Sequence, residues 1–193
     1  MQISNVNVYG LENAIRVSKF PMVVNAEECT EEITKTVKNL GISNIGAAHD
    51  NFLNGIIVQF DMRFSNKMAT EMQRYHFIDF ISSQSTIYRI TKFNLEEQCN
   101  NYVDRRIIDV VQEMADVYNG LEDKTTEFAK DLYLRILYNV PSGFQLTAGF
   151  TTNYRQLKTI LNQRKNHRLP EWQMFCKLIE ELPKFRELVL GGE

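Results

Sequence analysis

The chain has 193 residues, a formal net charge of −2, 44% apolar residues and 24% charged residues. This suits one ordinary globular domain, residues 1–193, with a sizeable core. It argues against a wholesale nucleic-acid coating protein, which would be basic; no stable nucleic-acid partner is expected beyond a local basic patch. No apolar run reaches membrane-spanning length and no basic-then-apolar leader opens the chain. A soluble, cytoplasmic protein without a membrane partner is therefore expected. Cys29, Cys99 and Cys176 are odd in number, widely spaced and free of any Cys-x-x-Cys. That argues against a disulfide framework or a thiolate metal site.

Gln2 to Val8 alternates weakly and predicts a short strand. Leu11 to Ser18 reads as a short helix stopped before Pro21. Asn25 and Glu28 form a capping-box pair for a helix running to Leu40, with Gly41 as its left-handed end. Asn54-Gly55 is a turn signal, and Ile56 to Arg63 is the best strand. Ser65 caps a helix from Asn66 to about Phe77, with Met68, Met72 and Tyr75 on one face. Asp104 to Tyr118 is an amphipathic helix through Ile107, Val110, Val111, Met114 and Val117, ended by Gly120. Thr125 to about Tyr138 is another. Pro141-Ser142-Gly143 breaks the chain, and Phe144 to Thr152 reads as strand or extended loop. Tyr154 to Leu161 and Glu171 to Leu182 are the last helices, with polar Asn162 to Arg168 between them. Helix dominates over a few non-consecutive strands, so the class is α/β or α+β.

The chemistry-bearing residues form a split set. Gln73-Arg74-Tyr75-His76 precedes the apolar run Phe77 to Ile81 and the polar cluster Ser82-Ser83-Gln84-Ser85-Thr86. Far downstream come Arg135, Asn153-Tyr154-Arg155 and Gln163-Arg164. Arginine suits phosphate because its planar fork donates two parallel bonds and keeps its charge. The same arginines also fit solvated helix faces. Arg155 and Arg164 are nine residues apart, so on one helix they point about 180° from each other and face different ligands or subunits. The stretch Asn162 to Arg168 suits a phosphate or a basic helix end equally. The serine cluster fits a base edge, a phosphate or a turn. No Gly-x-Ser-x-Gly elbow, phosphate-loop lysine motif or Gly-x-Gly-x-x-Gly is present. His49, His76 and His167 lack metal-ligand spacing, so no metal is expected.

The order of these pieces resembles the flavin-dependent thymidylate synthase family over Ala47–Arg89 and Leu134–Ile179. His49-Asp50-Asn51 stands at an early His-Glu-Thr/Ser-like loop. Arg74-Tyr75-His76 stands where that family carries Arg-His-Arg. Gln84 and Ser85 fall near an acidic residue and a substrate serine. Asn153, Arg155 and Arg164 fit the Asn-x-Arg helix, and Trp172 the aromatic beyond it. The resemblance implies an α/β fold with a mixed sheet flanked by helices, in a homotetramer with active sites shared between subunits. It implies flavin adenine dinucleotide (FAD), NADPH and methylene-tetrahydrofolate, and a pyrimidine deoxynucleotide, dUMP, as the substrate methylated. No protein nucleophile is expected; the protein supplies position and electrostatics. By carry-over, Asn51, Arg74, His76, Asn153 and Arg155 would hold FAD. Gln84, Ser85, Arg135 and Arg164 would hold the nucleotide. Tyr75, His76 and either Gln84 or Ser83 depart from the family pattern, one permanent cation and one carboxylate being lost. Those departures leave a second expectation: a non-catalytic nucleotide-binding or sequestering oligomer on the same fold.

Overall fold

The computed structural model describes residues 1–192. Strand β1 (Gln2–Tyr9) is followed by helices α1 (Leu11–Val17) and α2 (Lys35–Ile42). Strand β2 (Ile57–Ser65), helix α3 (Asn66–Met72) and strand β3 (Ile78–Ser83) come next. Helices α4 (Thr86–Arg89), α5 (Leu95–Gln98), α6 (Arg105–Gly120) and α7 (Glu127–Tyr138) precede strand β4 (Gln145–Asn153). Helices α8 (Tyr154–Arg164) and α9 (Pro170–Glu180) follow. The strands form one sheet in the order β1-β2-β4-β3. The α/β class expected from the sequence holds, and the sheet is antiparallel throughout rather than mixed in direction. The pairing shows this at both ends of β4: Tyr154 N donates to Ile56 O, and Asn66 N to Phe144 O.

Backbone contacts divide the chain into two compact units. One comprises residues 1–2, 62–74 and 82–148; the other comprises, among the described residues, 3–61, 75–81 and 149–192. In the first, α6 and α7 carry the core. Val111 and Ala115, one helical turn apart, are buried with Ile90, Leu95, Leu132, Ile136 and Phe144. Fully burying the larger of these side chains stabilises by about 1.5–3 kcal/mol each. The helix ends are well specified. Asp104 accepts from Arg106 N to start α6, and Thr126 from Ala129 N to start α7. Of the apolar residues expected to define α6, Ile107, Val110 and Val117 are 45–54% exposed. The helix therefore carries apolar groups outside its core stripe.

In the second unit, α8 buries Tyr154, Leu157, Lys158, Ile160, Leu161 and Arg164, and α9 buries Trp172, Phe175, Cys176 and Ile179. The α9 set repeats at i, i+3, i+4 and i+7, as a single packed face requires. Phe60 of β2 stacks on Phe150 of β4 at 5.5 Å and meets Phe175 of α9 at 5.9 Å. The Tyr154 hydroxyl donates to the Pro183 carbonyl at 2.6 Å.

Three expected elements differ. Asn25 caps only a single 3-10 turn, Ala26–Glu28, because its side chain accepts from Glu27 N and its amide donates to Glu28. The true helix starts later, at Thr34, whose hydroxyl accepts from Val37 N. Gly41 lies inside α2 rather than at a left-handed end. It is glycine because a Cβ there would sit 1.9 Å from the Leu188 carbonyl oxygen. The helix capped by Ser65 stops at Met72, not Phe77. Residues 78–83 instead join the sheet as edge strand β3, where Gln84 N donates to Thr147 O.

Candidate functional site

Helix α8 positions the most organised charged groups. Its first turn is fixed by Asn153, whose side-chain oxygen accepts from Gln156 N at 2.9 Å. Arg155 follows, half-buried. Its Nε donates to Asp50 Oδ1 at 3.0 Å. The other carboxylate oxygen of Asp50 accepts from Lys158 Nζ at 2.7 Å. Lys158 also donates to the carbonyls of Gly41 and Ser43 at 2.8 and 2.6 Å. Asp50 and Lys158 are both buried, so the pair is shielded from solvent and its polar atoms are satisfied within the protein. Asn51, beside Asp50, is exposed.

The far end of α8 carries a second cluster. Arg164 is 7% exposed. Its Nε donates to the Tyr75 hydroxyl at 2.7 Å, and that hydroxyl donates to Gln163 Oε1 at 3.0 Å. The Arg164 guanidinium carbon lies 4.9 Å from the Trp172 ring centre and 5.5 Å from that of Tyr75. Tyr75 and His167 both approach the Trp172 ring edge-on, at 5.7 and 6.5 Å. Such cation–aromatic stacking holds a guanidinium plane in one orientation. The Trp172 indole N–H is buried and meets no hydrogen-bond partner among the described residues. Burial pushes the thiol of nearby Cys176 up to about 11, with the Glu180 charge adding to the rise and Arg164 opposing it. His76 is exposed.

The remaining expected residues belong to the other compact unit. Arg74 is exposed. Gln84 is bonded at the sheet edge, its side-chain oxygen accepting from Thr147 N at 2.9 Å. Ser85 stands at the start of α4 without a side-chain cap bond. Arg135 is 68% exposed and donates from Nε to Asp131 at 2.7 Å. Such exposed pairs contribute little, at most about 0.5 kcal/mol, so they leave an arginine available to a ligand. Gln163 and Asp50 stand in the sequence reading as parts of Gln163-Arg164 and His49-Asp50-Asn51, without a role of their own; Lys158 does not stand in it at all. Lys158 carried a signal: it is a charged residue beside Leu157 and between Tyr154 and Leu161 on the inward face of α8. Among the described residues, no group of three or more His, Cys, Asp or Glu could hold a metal ion. No helix among them is long and apolar enough to cross a membrane.

Two solved structures match almost end to end. One is the flavin-dependent thymidylate synthase ThyX from Helicobacter pylori complexed with FAD and dUMP, at TM-score 0.71 and 16% identity, covering 97% of each chain. The fold is that of the flavin-dependent thymidylate synthases. A second structure of the Helicobacter pylori ThyX, also with FAD and dUMP, matches at TM-score 0.71 and 18% identity over 97% of each chain. No protein-family model and no curated protein matches the sequence. At 16–18% identity the likeness shows the fold and leaves the chemistry to this chain's own residues.

Proposed function

We propose that the chain is a diverged ThyX-like transferase acting as one domain: it binds FAD and methylates the pyrimidine of dUMP, with methylene-tetrahydrofolate and NADPH as co-substrates. The observation that carries this reading is the pair of arginines on α8, each oriented by the protein. Arg155 is held by Asp50 and Arg164 by Tyr75 and Trp172. Pre-oriented guanidinium groups suit phosphate-bearing ligands, because little rotamer freedom remains to be lost on binding. The half-buried Arg155 guanidinium therefore fits the anionic part of FAD. Asn51, Arg74, His76, Asn153 and Arg155 would hold FAD. Gln84, Ser85, Arg135 and Arg164 would hold the nucleotide. Bound FAD would supply the reductive chemistry; the residues named here bind and orient.

A homotetramer with sites shared between subunits belongs to the same proposal. It is supported by the apolar groups left exposed on α6 (Ile107, Val110, Val117) and α7 (Phe128, Leu134). A cytoplasmic location is part of the same reading.

The test is a reaction of the purified protein with dUMP, methylene-tetrahydrofolate, NADPH and FAD, resolved by chromatography. Thymidine monophosphate that appears only when all four are present supports the reading. A protein that binds dUMP but forms no product supports the second reading, a nucleotide-sequestering oligomer. Two observations favour that alternative. The Tyr75 hydroxyl is committed to Arg164 and Gln163, and the Gln84 side chain to Thr147, at the positions where the family pattern has a histidine and a carboxylate.

A further inference from the structure

Asp50 is the most deeply buried acid among the described residues, at 1% exposure. Its two oxygens are divided between two cations of different standing. Lys158 uses all three of its protons inside the protein, on Asp50 Oδ2 and the carbonyls of Gly41 and Ser43. Arg155 is bonded through Nε to Asp50 Oδ1, and its side chain is 33% exposed. One carboxylate between two cations leaves one positive charge over. Lys158 is shut away at 4% side-chain exposure, so Arg155 presents that charge. Anchoring an arginine at Nε also fixes the plane of its fork and leaves the outer edge, formed by its two terminal nitrogens, for a ligand.

We propose that Asp50 is a positioning residue, which aims the terminal nitrogens of Arg155 at a phosphate-bearing ligand, while Lys158 neutralises Asp50 so that the Arg155 charge stays available to that ligand. The inference rests on the flavin-site reading above, in which that ligand is FAD. Lys158 has a structural task here, tying α8 to the end of α2 and the loop before β2.

A double-mutant cycle read by FAD titration tests this. Arg155→Ala weakens FAD binding by about tenfold or more through loss of a charge-assisted pair, and Asp50→Asn by a similar factor. In the Arg155→Ala background, Asp50→Asn changes affinity by no more than about twofold, because the residue it positions is gone. Asp50→Glu keeps the charge and recovers part of the loss. Lys158→Met lowers the melting temperature and also weakens FAD binding, by about threefold or more, because Asp50 is then neutralised by Arg155 alone. Asp50→Asn alone leaves Lys158 buried without its anion, so the paired Asp50→Asn, Lys158→Met change gives a folded form in which the same loss is read. Equal weakening by Asp50→Asn with and without Arg155 overturns the positioning role and leaves the flavin reading standing. FAD affinity unchanged by Arg155→Ala overturns the positioning role and removes Arg155 from the site. A wild-type chain that does not bind FAD overturns both proposals.

Discussion

Arg164 of α8 donates from Nε to the hydroxyl of Tyr75 at 2.7 Å, at 7% exposure. A tyrosine standing in place of a histidine thus becomes the partner of the arginine proposed to hold the nucleotide. Tyr75→Phe keeps the ring against Trp172 and removes only the hydroxyl. It should cost about 1.5–3 kcal/mol of stability, the range for a hydrogen bond to a charged group. Trp172 is the chain's single tryptophan, so its fluorescence reports this cluster directly. An unaltered emission spectrum and unaltered denaturant midpoint in Tyr75→Phe would show that the contact is idle.

Arg164→Ala removes the cation between the Tyr75 and Trp172 rings. Binding of dUMP, followed by calorimetry, is expected to weaken by about 1.5–3 kcal/mol, the worth of a charge-assisted bond. Affinity equal to that of the unmodified chain would take Arg164 out of the nucleotide site.

Lys158→Ala breaks a buried ion pair whose partner stays behind. Loss of one partner from such a pair typically costs about 3–5 kcal/mol. Asp50 keeps Arg155, so the lower end is expected, read from the urea unfolding midpoint. A change under about 1 kcal/mol would mean that the Asp50–Lys158 contact does not persist in solution.

Gly41→Ala places a methyl group 1.9 Å from the Leu188 carbonyl oxygen. The two nearest atoms are the backbone carbonyl oxygen and carbon of Leu188, in the C-terminal turn at residues 186–190, so the methyl fits only if that turn or α2 moves. Overpacking of this kind costs about 1–3 kcal/mol, and thermal unfolding of the variant should show it. A melting temperature matching the unmodified chain would contradict the close approach.

Alkaline pH should weaken the fold. Burial raises the Cys176 thiol from 9.0 to about 11 and raises the Tyr154 hydroxyl as well. A group whose pKa is higher folded than unfolded binds more protons in the folded state. Its stabilisation is complete below the unfolded value and is lost as pH rises through the folded one. For Cys176 that window runs from about pH 9 to about pH 11. Cys176→Ala should make the decline over this window shallower in a pH series of urea melts. A decline just as steep in the variant would assign it elsewhere.

How much could be read from the sequence followed from locality. Caps announce themselves with a small side chain and three residues of context, so Ser65, Asp104 and the start of β2 were legible. The strand at residues 78–83 was not, because Ile78 to Ser83 lacks alternation and is defined by its pairing with β4. Gly41 looked like a helix end because glycine commonly is one; only the approach of Leu188, far along the chain, gives it another reason. At the candidate site, Arg155 and Arg164 were visible as a spaced pair on one helix. Their partners Asp50 and Tyr75 lie about ninety or more positions away in sequence, and periodicity within a helix carries no information about such contacts.

The most direct test of the central claim is a visible absorption spectrum of the purified protein after mixing with FAD and desalting. A retained flavin band is expected, lost or reduced in Arg155→Ala. A colourless protein that also gives no heat when titrated with FAD would contradict it.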